Sequence, residues 1–242
     1  TAATPAYAAT GVRMEDAHAV GRARDGALVL CVADGHGSVH VEPGVYVGGR
    51  EAADAACAEA LHRVEKASGE VDWRATFAAC HERLRHVFGL AAHAWEADGT
   101  LTLHTLSGAR SAIVHGTTLS VVRLRPRRAS TFAWVGDSVG VLVQSGRVVP
   151  LGTPHAASRR DEAERMRAAG VGVDRSGRFS YTLRGTRFTV AVSRSLGHFG
   201  HPGNAQTPDV VSFTPQLGDR LVVASDGLWD ACSQAHAGSV LA

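Results

Sequence analysis

An unbroken apolar run, Val29-Leu30-Cys31-Val32-Ala33, stops at Asp34-Gly35-His36-Gly37. Such a run predicts a buried β-strand. A carboxylate delivered at the end of that strand costs several kcal/mol to desolvate unless a cation or hydrogen-bond donors meet it. Taken alone, Asp34-Gly35 also reads as a plain turn, so the pair leaves two readings open: a turn or a metal ligand.

The same grammar recurs twice. Phe132–Val135 leads to Gly136-Asp137, and Leu221–Ser225 leads to Asp226-Gly227, with Asp230 one turn further on. Asp137 has an alternative as part of a hairpin turn, and Asp230 as the cap of a helix entered at Trp229. If the three strand ends come together, their acids converge, and like charges at that range repel strongly unless cations intervene. Hard divalent metals with oxygen ligands, Mg²⁺ or Mn²⁺, suit such a cluster. Glycine beside each acid lets the backbone come close and offers a carbonyl oxygen.

The rest of the chain supplies the frame. Residues 7–20 read as extended, with Glu15 and Asp16 adjacent near the end of that segment, so that alternation would turn only one of them toward a given site. Ala53, Ala56, Cys57, Ala60, Leu61 and Val64 form an apolar stripe at helical period, ended by Ser68-Gly69. Asp72 is the N-cap of a second striped helix carrying Trp73, Phe77, Cys80, Leu84, Val87 and Ala91. His62, His81, His86 and His93 lie off both stripes and are expected at solvent. From Thr100 to Pro150 the period falls to two, with turns at glycine, serine and proline. A third helix is expected from Ser158 to Gly170, with Asp161 and Glu162 in its first turn. Strands return at Phe179–Leu183, Arg187–Val192 and Leu221–Ser225. A helix pair, one later helix and about ten short strands without βαβ alternation imply an α+β fold, in which antiparallel sheets pack on each other and helices cover their outer faces.

Charge excludes some classes of partner. With 25 Lys+Arg against 23 Asp+Glu in 242 residues there is no global field for nucleic acid or an anionic membrane. The one basic cluster, Arg123–Arg128, contains a proline and reads as a solvated loop. No span supplies the ~18 apolar residues of a membrane helix. Cys31, Cys57, Cys80 and Cys232 show neither metal nor redox spacing and read as buried, reduced thiols, which implies an intracellular location, cytoplasmic or nuclear.

Six ordered segments then become specific: Arg13-Met-Glu-Asp-Ala17, Ala33-Asp-Gly-His-Gly37, Gly116-Thr-Thr-Leu119, Val135-Gly-Asp-Ser138, Ala191-Val-Ser-Arg-Ser-Leu-Gly197 and Ala224-Ser-Asp-Gly-Leu-Trp-Asp230. Together they resemble the motifs of the metal-dependent serine/threonine phosphatases, the protein phosphatase 2C family. The resemblance implies a β-sandwich of two antiparallel sheets flanked by helices, in one monomeric phosphatase-like domain over residues 1–242. It also implies hydrolysis of phosphoserine and phosphothreonine in phosphoprotein substrates. By position, Asp34 resembles the acid that bridges two metals, with the Gly35 carbonyl on one and Asp226 on the other. Glu15 and Asp16 resemble the pair that holds metal-bound waters, and Asp137, Asp226 and Asp230 those of a third, weaker ion. The implied chemistry is in-line attack by a water held between two Mg²⁺ or Mn²⁺ ions, with His36 as general acid.

The chain departs from the family pattern in three places. Gly11 stands where a phosphate-gripping arginine is usual, and Arg13 lies on the same strand face roughly 7 Å away, a candidate substrate contact through its guanidinium. Gly197-His198 replaces a common Gly-Asp, and Val139 a common arginine; both read as changes beside the site. An aspartate-asparagine pair expected near the C-terminus is absent before Ala242. The sequence is therefore expected to be incomplete at that end. The alternative is a catalytically weak or inactive relative that binds phosphoproteins or kinases as a regulatory module.

Overall fold

The computed structural model describes residues 14–42, 45–67, 69–89, 93–104, 110–125 and 127–241. Five strands form an antiparallel sheet in the order Ala17–Arg22, Leu28–Ala33, Leu119–Leu124, Ser130–Val135, Asp209–Phe213. A second antiparallel sheet orders Arg147–Pro150, Val139–Gln144 and Arg220–Ala224. Alternation along the strands divides the core between two faces. Val29, Cys31, Ala33, Val121 and Ala133 pack beneath the helix pair. Leu30, Val122, Phe132 and Trp134 turn the other way and meet Val139, Leu142, Leu221 and Val223 in the seam between the sheets.

The first helix, Gly49–Lys66, begins four residues before the apolar stripe does. Glu51 folds back to accept the Gly48 N–H at 3.0 Å, which stabilises that extra turn. Its buried face is built of Ala52, Ala53, Ala56, Cys57, Ala60 and Val64, small enough to let the next helix approach closely. That helix, Trp73–Gly89, is capped as expected: Asp72 Oδ1 accepts the Ala75 N–H at 2.9 Å. Phe77, Leu84 and Phe88 are fully buried, each worth about 2 kcal/mol relative to exposure. On the other side of the sandwich, the helix Gln234–Leu241, which no sequence pattern announced, lies against Val139–Gln144 and Arg147–Pro150.

Two small sheets frame the functional region. Gly172–Val173, Phe179–Leu183 and Thr186–Val190 pair antiparallel and pack, with Met166 of the helix Arg160–Ala168, around Phe179, Tyr181 and Phe188. Leu196–Gly197, Gly116–Thr117 and Gly35–His36 form the other, with Gly116 in the middle.

Several sequence expectations are corrected. Nineteen strands, some of two residues, stand among the described residues where about ten were expected. Arg123 is not solvated: it is 3 % exposed, donates to Asp25 at 2.9 Å and to the Gly69 carbonyl, and so ties the central strand Leu119–Leu124 to the turn before Leu28–Ala33 and to the helix connection. His81 is half-buried, accepts the Gly197 N–H at 3.2 Å and packs on Phe199, while His62 and His86 are exposed and the His93 side chain lies outside the described residues. Cys31, Cys57 and Cys80 are buried, but Cys232 is only half-buried.

Candidate metal centre

The three strand ends do converge. Asp34 follows Leu28–Ala33, Asp137 follows Ser130–Val135 after one glycine, and Asp226 opens the short helix Asp226–Trp229 after Arg220–Ala224. A carboxylate oxygen from each lies within 4.8 Å of the others, and all three residues are half-buried. Thr118 holds two of these loops together. Its Oγ1 accepts the Asp34 N–H at 2.9 Å and lies 2.7 Å from Ser138 Oγ, next to Asp137, while its own N–H donates to the Asp34 carbonyl at 2.9 Å.

Glycine is required at this junction. A Cβ at Gly35 would sit 2.0 Å from the Gly49 carbonyl oxygen and 2.9 Å from the Glu15 carbonyl oxygen. Gly136 has φ +94°, and a Cβ there would meet Thr118 Cγ2 at 2.5 Å. These close backbone approaches set the spacing of the acids.

The electrostatics show what the cluster lacks. Burial, followed by the hydrogen bond and charge of Asp226 and the charges of Asp16 and Asp137, pushes the Asp34 carboxyl up to about 9. Burial, with the charges of Asp226 and Asp230 added, pushes Asp137 up to about 6; Arg178 pulls in the opposite direction. Protein groups alone therefore do not sustain full ionisation of the cluster at neutral pH. Oxygen-only donors, crowded and short of positive charge, fit hard divalent cations. The turn reading of Asp34-Gly35 loses its ground here, since a turn has no need of two further acids at its tip.

Glu15 and Asp16 precede the strand Ala17–Arg22 instead of lying within it, so the strict alternation expected of them does not apply. Glu15 lies against Gly49, where a Cβ would come 2.9 Å from its carboxyl carbon. Asp16 Oδ2 accepts from Ser225 Oγ at 3.3 Å, its carbonyl accepts from Arg50 at 2.8 Å, and its charge reaches Asp34. Asp230 acts on Asp137 through its charge. Arg13 lies outside the described residues.

The acids open into a cleft of about 280 Å³ whose far wall is formed by Thr189–Val192 and Arg178. Arg178 is exposed and stands just before the Phe179–Leu183 strand, where Asp174 Oδ1 accepts its N–H at 3.1 Å. It is the one lysine or arginine among the described residues lining the cleft. Nothing in its local sequence marked it, because only the pairing of that small sheet swings it across to the acids.

His36 and His198 also line the cleft, with Nε2 to Nε2 at 2.6 Å. Burial lowers His36 to about 4 against the opposing pull of the Asp34 backbone and the Asp226 charge. Burial, then the neighbouring histidines, lowers His198 further. The Gly197-His198 departure is thus in the site and not beside it. Val139, by contrast, is a buried residue of the inter-sheet core.

A sequence profile of Protein phosphatase 2C matches residues 9–241. The chain is 31% identical over 216 residues to "Probable protein phosphatase 2C 78" of Arabidopsis thaliana, covering 87% of this chain and 46% of that protein. It is 32% identical over 203 residues to "Protein phosphatase 1F" of Mus musculus, covering 83% and 38% respectively. The chain thus spans about half or less of the length of these curated relatives. Among solved structures, the S. agalactiae serine/threonine phosphatase superposes with a TM-score of 0.59 at 19% identity, covering 95% of this chain and 80% of that one, which is a likeness of fold. A Toxoplasma gondii phosphatase gives 0.60 at 18% identity, over 98% and 76%. Profile, relatives and fold agree with the acid cluster: the chain belongs to the protein phosphatase 2C family.

Proposed function

We propose that this chain hydrolyses phosphoserine and phosphothreonine esters of proteins with the help of two Mg²⁺ or Mn²⁺ ions, and that it forms one catalytic domain. The observation that carries the reading is the convergence of Asp34, Asp137 and Asp226 at strand ends, with Asp34 pushed up to about 9 in the absence of positive charge.

In this reading Asp34, the Gly35 carbonyl and Asp226 hold the ions, with Glu15 and Asp16 orienting water around them. Asp137, Asp226 and Asp230 hold a further ion. Bound ions supply charge that neutralises the phosphoryl oxygens and lowers the proton affinity of water. The chain's own side chains do the rest. Thr118 keeps Asp34 and Asp137 in register. His36 holds a proton for the leaving serine or threonine oxygen.

The clustered acids give no support to the alternative of a non-catalytic binding module. The partner is a phosphoprotein, with the chain monomeric, cytoplasmic or nuclear, and without nucleic-acid or membrane partners; no helix among the described residues is long and apolar enough to cross a membrane. The reading is tested by Mn²⁺-dependent release of phosphate from a phosphothreonine peptide. Equal rates with Mn²⁺ and with a chelator would sink it.

Substrate phosphate needs a cation on the protein side. Arg13 and Arg178 are the candidates, and Arg178 faces the acids across the cleft. Arg178→Ala is expected to raise KM for the peptide about tenfold, the loss of one charge-assisted contact, with a smaller effect on kcat. Inhibition by inorganic phosphate should weaken in parallel, and an unchanged inhibition constant would remove Arg178 from the substrate contacts.

A further inference from the structure

We infer that His155 is the positioning residue of Asp137: it clamps the glycine before that acid from both sides and so fixes the direction in which the carboxylate enters the cleft. The inference rests on the reading of Asp137 as a ligand of the further, weaker ion.

Both backbone polar groups of Gly136 go to this one residue. His155 Nδ1 accepts the Gly136 N–H at 3.0 Å, and the His155 N–H donates to the Gly136 carbonyl at 2.9 Å. The first bond holds the peptide plane that enters Gly136, the second the plane that joins Gly136 to Asp137. Each peptide unit is rigid, so the two together set both backbone angles of the glycine. Gly136 needs such a hold. At φ +94° it occupies a conformation that glycine adopts readily and side chains rarely allow, and the charges of Asp226 and Asp230 bear on the acid that follows it.

His155 is itself held from several directions. Its ring is fully buried, stacks on Trp134 with centroids 5.8 Å apart, and presents Nε2 at 3.2 Å from Asp209 Oδ2. Arg159 and Arg194 fix Asp209 in turn, at 2.7 and 2.9 Å. Trp134 Nε1 donates to the Thr153 carbonyl at 3.1 Å, which anchors the segment leading to His155. The His155 carbonyl accepts the Ser193 N–H at 2.8 Å and the Ser193 hydroxyl at 3.1 Å, directly after the cleft wall Thr189–Val192. A carboxylate on one imidazole nitrogen is the arrangement that orients a metal-binding histidine. Here the other nitrogen takes a backbone N–H in place of an ion, and the orientation passes to Asp137.

The test uses the full chain and reads Mn²⁺ binding directly, from the electron paramagnetic resonance of the free ion, beside urea denaturation in chelator. His155→Asn keeps an acceptor where Nδ1 stands; His155→Gln carries its polar atoms further out and has none there. Both lose the ring, so a merely structural role predicts equal effects. His155→Gln is expected to weaken the weakest class of bound Mn²⁺ about tenfold, in the range for residues that orient a ligand, and His155→Asn by no more than about threefold. Peptide turnover by His155→Gln should return toward the parent's at saturating Mn²⁺. Equal Mn²⁺ affinity in the parent and His155→Gln, or equal losses in the two variants, would overturn the role. If the parent binds no Mn²⁺, the metal reading fails, and amide hydrogen exchange at Gly136 decides the clamp. Protection lost in His155→Gln and kept in His155→Asn supports it; equal protection in all three chains overturns it. If neither variant folds, ¹⁵N spectra of the parent serve: on addition of Mg²⁺ the Gly136 amide and His155 Nδ1 resonances should shift with one midpoint, and a His155 ring that does not respond overturns the proposal.

Discussion

Asp34→Asn is expected to lower Mn²⁺-dependent hydrolysis of p-nitrophenyl phosphate by at least about a thousandfold, a loss of roughly 4 kcal/mol of transition-state stabilisation, while making the metal-free chain less sensitive to alkaline pH. Both effects have one cause. In the proposed function this carboxylate gathers the ions; without them it is desolvated and repelled by its neighbours, which pushes it up to about 9 against an ordinary 3.8. A folded pKa above the unfolded one contributes stability that is fully present below the unfolded value and is lost as pH rises through the folded value. In chelator, the parent chain should therefore lose stability between about pH 4 and pH 9, and the asparagine variant, which has no charge to acquire, should lose less. Added Mn²⁺ should raise the melting temperature of the parent in proportion to occupancy and leave the variant nearly unmoved. Melting curves across that pH range, with and without metal, check the prediction. Parallel curves for the two proteins in chelator would show that Asp34 is not the strained member of the cluster.

The second large effect lies away from the acids. Glu162 is 1 % exposed and accepts from Arg194 Nη2 at 2.5 Å, from Arg165 Nη2 at 2.7 Å and from the Ser193 hydroxyl. Burial alone would raise its carboxyl; the bonds from Arg194, Ser193 and Arg165 outweigh that and hold it at about 2. Arg194 and Arg159 continue the network to Asp209, which lies 3.2 Å from His155. His155 Nδ1 in turn accepts the Gly136 N–H beside Asp137 at 3.0 Å. Glu162→Gln leaves two guanidinium groups facing a neutral amide, and is expected to destabilise the chain by about 3 kcal/mol. Urea denaturation at neutral pH measures it, with a shift below about 1 kcal/mol counting against the network. The folded pKa is depressed, so this contribution is present above the unfolded value near 4.5 and is lost as pH falls toward 2. The parent should show that acid-side loss and the variant should not.

What the sequence made legible follows from range. Asp34, Asp137 and Asp226 each stand at the end of an apolar run, and that pattern is local, so three separate stretches could be recognised and set side by side. The helix pair was legible for the same reason, since Ala53 to Val64 and Trp73 to Val87 repeat at a helical period. Arg178 and His198 were not legible as cleft residues, because only the pairing of two small sheets brings them beside the acids. Arg123 misled for a related reason: a basic cluster suggests solvent, and only the approach of Asp25 and the Gly69 carbonyl permits burial of its guanidinium. Local sequence places Glu162 only in the first turn of a helix, whereas its partners Arg194 and Ser193 lie some thirty residues further along.

Asp34 directly follows a strand of the five-stranded sheet, and Asp226 opens the short helix that follows Arg220–Ala224 of the sheet formed with Val139–Gln144 and Arg147–Pro150. An ion shared by the two would act as a rivet through the layers of the sandwich, so any sliding of one layer over the other becomes a change in the gap between two carboxylates. Grip on the metal and alignment of the layers are then one mechanical property. A load that shears the seam, applied far from the cleft, would be read at the centre as a looser ion.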